Sequence, residues 1–166
     1  MNDDLKAYFS IQAKISAAFN FFISGMIAGL IYHAAAEVPT DVVSIAIDLA
    51  ITCVLTFTIT AYFVRAGLKS TKTIGILPPA NGFTRFLARL YNASRIGVIY
   101  PLRFGVLMGL AAAIVLFIII APIYALMGIM VLPFYPYVII KSLSCMLLGS
   151  GVTIFEMYTG MCKTDV

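Results

Sequence analysis

Three ionisable side chains, Asp48, Lys141 and Glu156, stand inside stretches of sequence that are otherwise apolar or small. Each belongs to a regular row. Ser44, Asp48, Thr52, Thr56 and Thr60 recur at steps of four, and so do Lys141, Cys145, Gly149 and Thr153, with Glu156 three residues further on. Steps of four draw one slowly drifting stripe along a helix. Two chemistries fit such stripes: hydrogen bonding between helices, or the lining of a polar path for ions or protons through an oligomer.

A charged group in hydrocarbon costs about 2.5–3.5 kcal/mol, so it pairs or faces a wet cavity. Asp48 lies six residues past Val42 and Lys141 four past Tyr137. At 1.5 Å per residue these are depths of about 9 and 6 Å, if both helices start at one face. Two readings of Lys141 follow: an ion pair with Asp48 that pins the two helices together, or a long side chain that snorkels to the headgroups. Glu156 falls near the opposite end, close in depth to Arg65, Arg103 and Asn20. It reads either as an interfacial salt bridge or as a proton-binding carboxylate.

Catalysis finds little support. The chain has no HExxH, no GxSxG and no Gly-rich loop before a Lys. Asp48 and Glu156 are separated by well over ~10 Å of helix rise, too far for a carboxylate dyad. His33 is the single histidine, and Cys53, Cys145 and Cys162 form no CxxC pair. The expectation is therefore no enzyme, no metal and no cofactor.

The elements that would position these rows are long. With 62% hydrophobic and 11% charged residues the composition excludes a water-soluble globule. Four spans are expected at about 17–36, 42–64, 104–130 and 137–158. Each can cross about 30 Å of hydrocarbon as a helix, and none shows the alternation of a β-barrel strand. Tyr32, Tyr124, Tyr135 and Tyr137 fall toward one interface and Tyr62, Tyr100 and Tyr158 toward the other. The fold class is an all-α integral membrane protein, a four-transmembrane-helix bundle in one membrane domain, 1–166.

Charge gives the orientation. The connection 65–103 carries seven basic residues and no acid, and ten of the eleven Lys and Arg fall on its side of the spans. By the positive-inside rule that side is cytoplasmic, with both termini inside. Asp3, Asp4 and the length of the first run argue against a cleaved signal peptide. Economy of charge and short outer loops resemble those of small bacterial inner-membrane proteins. Within the connection, after Pro78 and Pro79, Phe83, Phe86, Leu87, Leu90 and Tyr91 recur at helical spacing. This predicts an amphipathic helix on the cytoplasmic membrane surface. Lys69, Lys72, Arg85, Arg89 and Arg95 around it either set topology alone or attract anionic lipid. Cations spread about an apolar surface helix do not make a nucleic-acid track.

Gly25-x-x-x-Gly29 near the start of the first span corresponds to Gly105-x-x-x-Gly109 near the start of the third. Val38-Pro39 and Leu132-Pro133 follow in the outer loops, then Asp48 and Lys141. The correspondence is either a parallel two-helix tandem repeat or coincidence in a small apolar alphabet. Small residues four apart let helices approach, with Gly25 and Gly29 expected to form the main contact face, inside the bundle or in a homo-oligomer. The functional expectation is a non-catalytic protein acting by association in the bilayer, as accessory subunit, scaffold or regulator, with a second copy or a larger membrane protein as partner. The alternative is a small ion- or proton-coupled transporter or channel using the polar rows of spans 2 and 4.

Overall fold

The computed structural model describes residues 3–33, 35–70, 81–92 and 99–162. In chain order they form α1 (Asp3–Tyr32), β1 (Glu37–Pro39), α2 (Val42–Ser70), α3 (Gly82–Asn92), α4 (Ile99–Met127), β2 (Val131–Pro133) and α5 (Phe134–Met161). Helices α1, α2, α4 and α5 are each long and apolar enough to cross a membrane. The protein is an all-α, multi-pass membrane protein.

Helix boundaries differ from the sequence expectation for identifiable reasons. Helix α1 ends at Tyr32, because Glu37–Pro39 runs extended and pairs antiparallel with Val131–Pro133, Val38 opposite Leu132. The two outer loops are thus stitched into a ribbon. Proline lacks an N–H and cannot extend a ladder, which suits Pro39 and Pro133 to the ribbon's ends. Thr40 N–H donates to the Met130 carbonyl at 2.8 Å and Phe134 N–H to the Ala36 carbonyl at 3.1 Å, closing both corners. Helix α4 stops at Met127 because Gly128 adopts φ 66°, a left-handed cap. Helix α2 begins at a side-chain cap, where Asp41 Oδ1 accepts from the amides of Val43 and Ser44 at 3.0 and 3.2 Å. Ser44 Oγ donates to Asp41 Oδ2 at 2.6 Å, and this bond is the main reason the Asp41 carboxyl lies below its ordinary pKa. Asp41→Ala is expected to speed amide exchange at Val43 and Ser44, by removing the acceptor their orphan N–H groups need. Unchanged exchange there would show that the cap does not hold the turn.

Packing does not follow chain order. Helices α2 and α5 form a central pair, α4 packs on α2 and α1 packs on α5. The helices joined by the ribbon, α1 with α2 and α4 with α5, barely touch along their lengths. At the ribbon end Ala28, Val38 and Tyr137 make a small buried cluster. At the opposite end Phe9, Ala61, Val64, Leu68, Phe104, Met157 and Met161 make a larger one. Helix α3 caps its N-terminus with Asn81, whose Oδ1 accepts from the Thr84 amide at 2.9 Å while Thr84 Oγ1 accepts from the Asn81 amide at 3.0 Å. It lies against α5 and α4, burying Leu87 and Ala88 and leaving Phe83, Phe86, Arg85 and Arg89 exposed. Its apolar stripe is therefore shared between the bundle and the surroundings. Lys69 is exposed at the end of α2, whereas Pro78, Pro79, Lys72 and Arg95 lie outside the described residues.

The glycines distribute differently from expectation. The closest approach is α4 on α2: a Cβ on Gly109 would lie 2.6 Å from Val54 Cα, and one on Gly105 would strike the Thr58 backbone. On α1, a Cβ at Gly25 would meet Ser142 Oγ at 2.8 Å, but Gly29 has nothing within 4 Å. The main small-residue contact thus belongs to Gly105 and Gly109, not to Gly25 and Gly29. Sequence spacing could not distinguish the two pairs, because only the facing surface decides which glycine is needed.

Candidate intramembrane site

Because α2 and α5 lie side by side and both start at the ribbon end, Asp48 and Lys141 come to one level, and Lys141 Nζ forms an ion pair with Asp48 Oδ1. The Asp48 side chain keeps 32% of its surface exposed and Lys141 13%. Lys141 also donates to Tyr137 Oη at 3.3 Å and lies 5.6 Å from the centre of its ring. Tyr137 in turn stands edge-on to Tyr32, ring centres 5.3 Å apart. The pair thus sits in an aromatic frame built by α1 and α5, about two turns below the ribbon.

Since α1 and α2 are held apart, a furrow runs between them with α5 as its floor. Its ribbon-end stretch, about 330 Å³, reaches from Tyr32 and Ser44 past Asp48 and Lys141 to Asn20 and Ile59. A second stretch of about 240 Å³ continues from Asn20 and Ile59 to Tyr8 and Gly67, floored by Thr153 and Met157. The lips are apolar and step by four on both sides: Ile15, Phe19, Ile23, Ile27 and Ile31 on α1, Ile47, Ile51, Leu55, Ile59 and Phe63 on α2. Behind them the walls are polar. Helix α2 contributes Ser44, Asp48, Thr52, Thr56 and Thr60, the row legible in the sequence. Helix α1 contributes Gln12, Ser16, Asn20 and Ser24, a row that sequence reading missed although its step of four was the same.

The floor is tied to α1 by the Ser16 hydroxyl, and bonds within each helix fix the groups around it. Ser16 Oγ and Thr153 Oγ1 both donate to the Gly149 carbonyl, at 3.1 and 2.8 Å, and Asn20 Nδ2 donates to the Ser16 carbonyl at 2.9 Å. Gly149 is required because a Cβ there would collide with the Asn20 side chain. The lips approach each other where Phe19 and Phe63 meet edge-on, ring centres 6.0 Å apart. A smaller cleft, about 110 Å³, opens on the other side, between α4 and α5 across α2. Asp48 and Lys141 line it too, with Cys145 and with Tyr32, Tyr124 and Tyr137.

Glu156 departs from the salt-bridge expectation. It is 0% exposed, and neither carboxylate oxygen has a hydrogen-bonding partner among the described residues. Asn20, expected at similar depth, donates to the Ser16 carbonyl and hydroxyl instead. A buried polar group left unsatisfied costs about 1–3 kcal/mol. Glu156→Met is therefore expected to raise thermal stability in detergent. A loss of stability would mean that the carboxylate has a partner. His33 stays at the helix end, its Nδ1 3.0 Å from the Leu30 carbonyl oxygen, and no three His, Cys, Asp or Glu converge on a metal-sized site among the described residues. No family model, curated protein or solved structure matches this chain.

Proposed function

We propose that this chain is a non-catalytic membrane protein that acts by association within the bilayer, as accessory subunit, scaffold or regulator, and that the α1/α2 furrow receives one apolar transmembrane helix of a partner protein. The observation that carries this reading is the furrow's form: two ladders of apolar residues at steps of four, exposed except for the half-buried Ile23, flanking polar rows. An amphipathic helix docks into a groove by residues at such spacing. Length favours a helix over a lipid chain. From Gln12 to Tyr32 the furrow wall runs for 20 residues, about 30 Å and so the whole hydrocarbon thickness, where an acyl chain covers one leaflet. Hydroxyls and amides behind the lips supply interhelical hydrogen bonds, each worth about 0.6 kcal/mol.

Purification in mild detergent tests this. One partner protein at fixed stoichiometry is expected, lost when Thr52→Phe fills the furrow. A chain that purifies alone, with or without Thr52→Phe, contradicts it. A monodisperse homo-oligomer would transfer the furrow to a second copy and favour the second reading, transport. What supports transport is the continuity of the polar rows from Ser44 to Gln12. In a closed oligomer they would line a path, and liposome flux of protons or cations that falls in Asp48→Asn would establish it.

Three further readings belong with this one. Both termini are placed in the cytoplasm on the distribution of Lys and Arg, and the protein in a bacterial inner membrane on its short outer loops and economy of charge; reporter fusions at Val166 and in the ribbon test the orientation. Anionic lipid is proposed to gather at Lys69, Arg85 and Arg89, which are exposed, and at Lys72 and Arg95. A two-helix tandem repeat, α1–β1–α2 with α4–β2–α5, is supported by reciprocal packing, α1 on α5 and α4 on α2, and by the antiparallel pairing of β1 with β2.

A further inference from the structure

The cleft between α4 and α5 has a chemistry of its own, although Asp48 and Lys141 border the furrow as well. Tyr32, Tyr124 and Tyr137 gather beside the Asp48 carboxylate in a space of about 110 Å³. Aromatic faces and a carboxylate together attract ammonium groups. One ammonium is already there: Lys141 Nζ pairs with Asp48, donates to Tyr137 Oη at 3.3 Å and lies 5.6 Å from that ring's centre. The two partners are unequally covered, the carboxylate at 32% exposure and the lysine at 13%. The acid is therefore the less covered partner, and it lines the cleft and the furrow alike. Lys141 also lies only four residues past Tyr137, about 6 Å along the helix, so a displaced lysine can extend to the headgroups. Pairing and snorkelling then become two positions of one side chain.

We propose that this cleft binds the alkylammonium head group of an amphipath, which takes the place of Lys141 at Asp48 among the three tyrosines. The exchange replaces one ammonium by another at the same carboxylate, and no bond or proton is transferred. The space suits a head group; the hydrocarbon tail lies against Leu49, Ile120 and Ile140 at the rim and in the surrounding lipid. An ammonium-bearing lipid headgroup and a free amphipathic amine share this chemistry.

Wild-type protein in phosphatidylglycerol nanodiscs, which carry no ammonium, allows the test. Acetylation of Lys141 by an amine-reactive ester is measured by peptide mass spectrometry against Lys6 and Lys14, with and without dodecyltrimethylammonium, which the ester cannot modify. Lys141 acetylation is expected to rise about tenfold once the probe exceeds the effective concentration of the tethered lysine, and to stay unchanged with neutral dodecyl maltoside. A rise in phosphatidylcholine discs without probe, whose quaternary ammonium the ester likewise cannot modify, assigns the lipid headgroup as ligand, and a rise only with probe assigns a free amine. No rise in either overturns the proposal. As a second measurement, Lys141→Met should bind labelled probe about tenfold more tightly than wild type because its tethered competitor is gone, and Asp48→Asn should lose binding. Binding retained in Asp48→Asn overturns it equally.

Discussion

Lys141→Met is expected to destabilise the bundle by about 3 kcal/mol, the lower end of what breaking a buried ion pair costs. Asp48→Leu should cost less, about 2 kcal/mol, since the stranded lysine can extend to the headgroups whereas the short aspartate cannot. The exchange Asp48→Lys with Lys141→Asp should recover most of the loss. Asp48→Leu with Lys141→Met should approach or exceed wild-type stability, as two desolvated charges are then removed together. Unfolding in mixed detergent micelles, read by circular dichroism, provides all four values. If the exchanged pair is no more stable than either single variant, α2 and α5 are held by their packing and not by this pair.

Gly109→Ala is expected to destabilise by about 2–3 kcal/mol, a large effect for one methyl group. The added Cβ would lie 2.6 Å from Val54 Cα, 2.8 Å from Val54 N and 2.9 Å from the Cys53 carbonyl oxygen. All three are backbone atoms, so no side chain can rotate away and α4 must move off α2. Gly29→Ala is the matching control. Nothing stands within 4 Å of a Cβ there, and alanine in place of a helical glycine contributes up to about 1 kcal/mol. Equal effects at the two positions, measured by thermal unfolding in the same detergent, would show that the α2/α4 crossing is looser than its geometry requires.

Much of the architecture was legible because hydrocarbon leaves few choices. Backbone groups without water must bond within a helix, so apolar length alone located α1, α2, α4 and α5. The polar row of α2 and the level shared by Asp48 and Lys141 could be read from steps of four, since periodicity records which side chains share a face. The amphipathic spacing around Phe83 and Leu87 likewise placed α3. What periodicity does not record is which face meets which helix. Gly29 and Gly109 occupy equivalent motifs, yet one is open and the other touches backbone. Glu156 had cations at similar depth in sequence and is buried without a hydrogen-bonding partner among the described residues. The ribbon escaped notice because three-residue strands bearing proline look like loops until Val38 is paired with Leu132. The α1 row Gln12, Ser16, Asn20 and Ser24 was within reach of the same reading. Lys14 and the glycines interrupt that stretch of sequence and mask the row's regular step.

Photo-crosslinking from the furrow lips addresses the proposed association most directly. A photoreactive residue at Ile27 or Leu55, on opposite lips, is compared with one at Ile118, an exposed position on α4. Both lip positions are expected to capture the same transmembrane peptide of one partner protein, identified by mass spectrometry, and Ile118 to capture lipid alone. Lipid adducts from all three positions, or the same protein adducts from Ile118 as from the lips, would contradict a furrow that receives a partner helix.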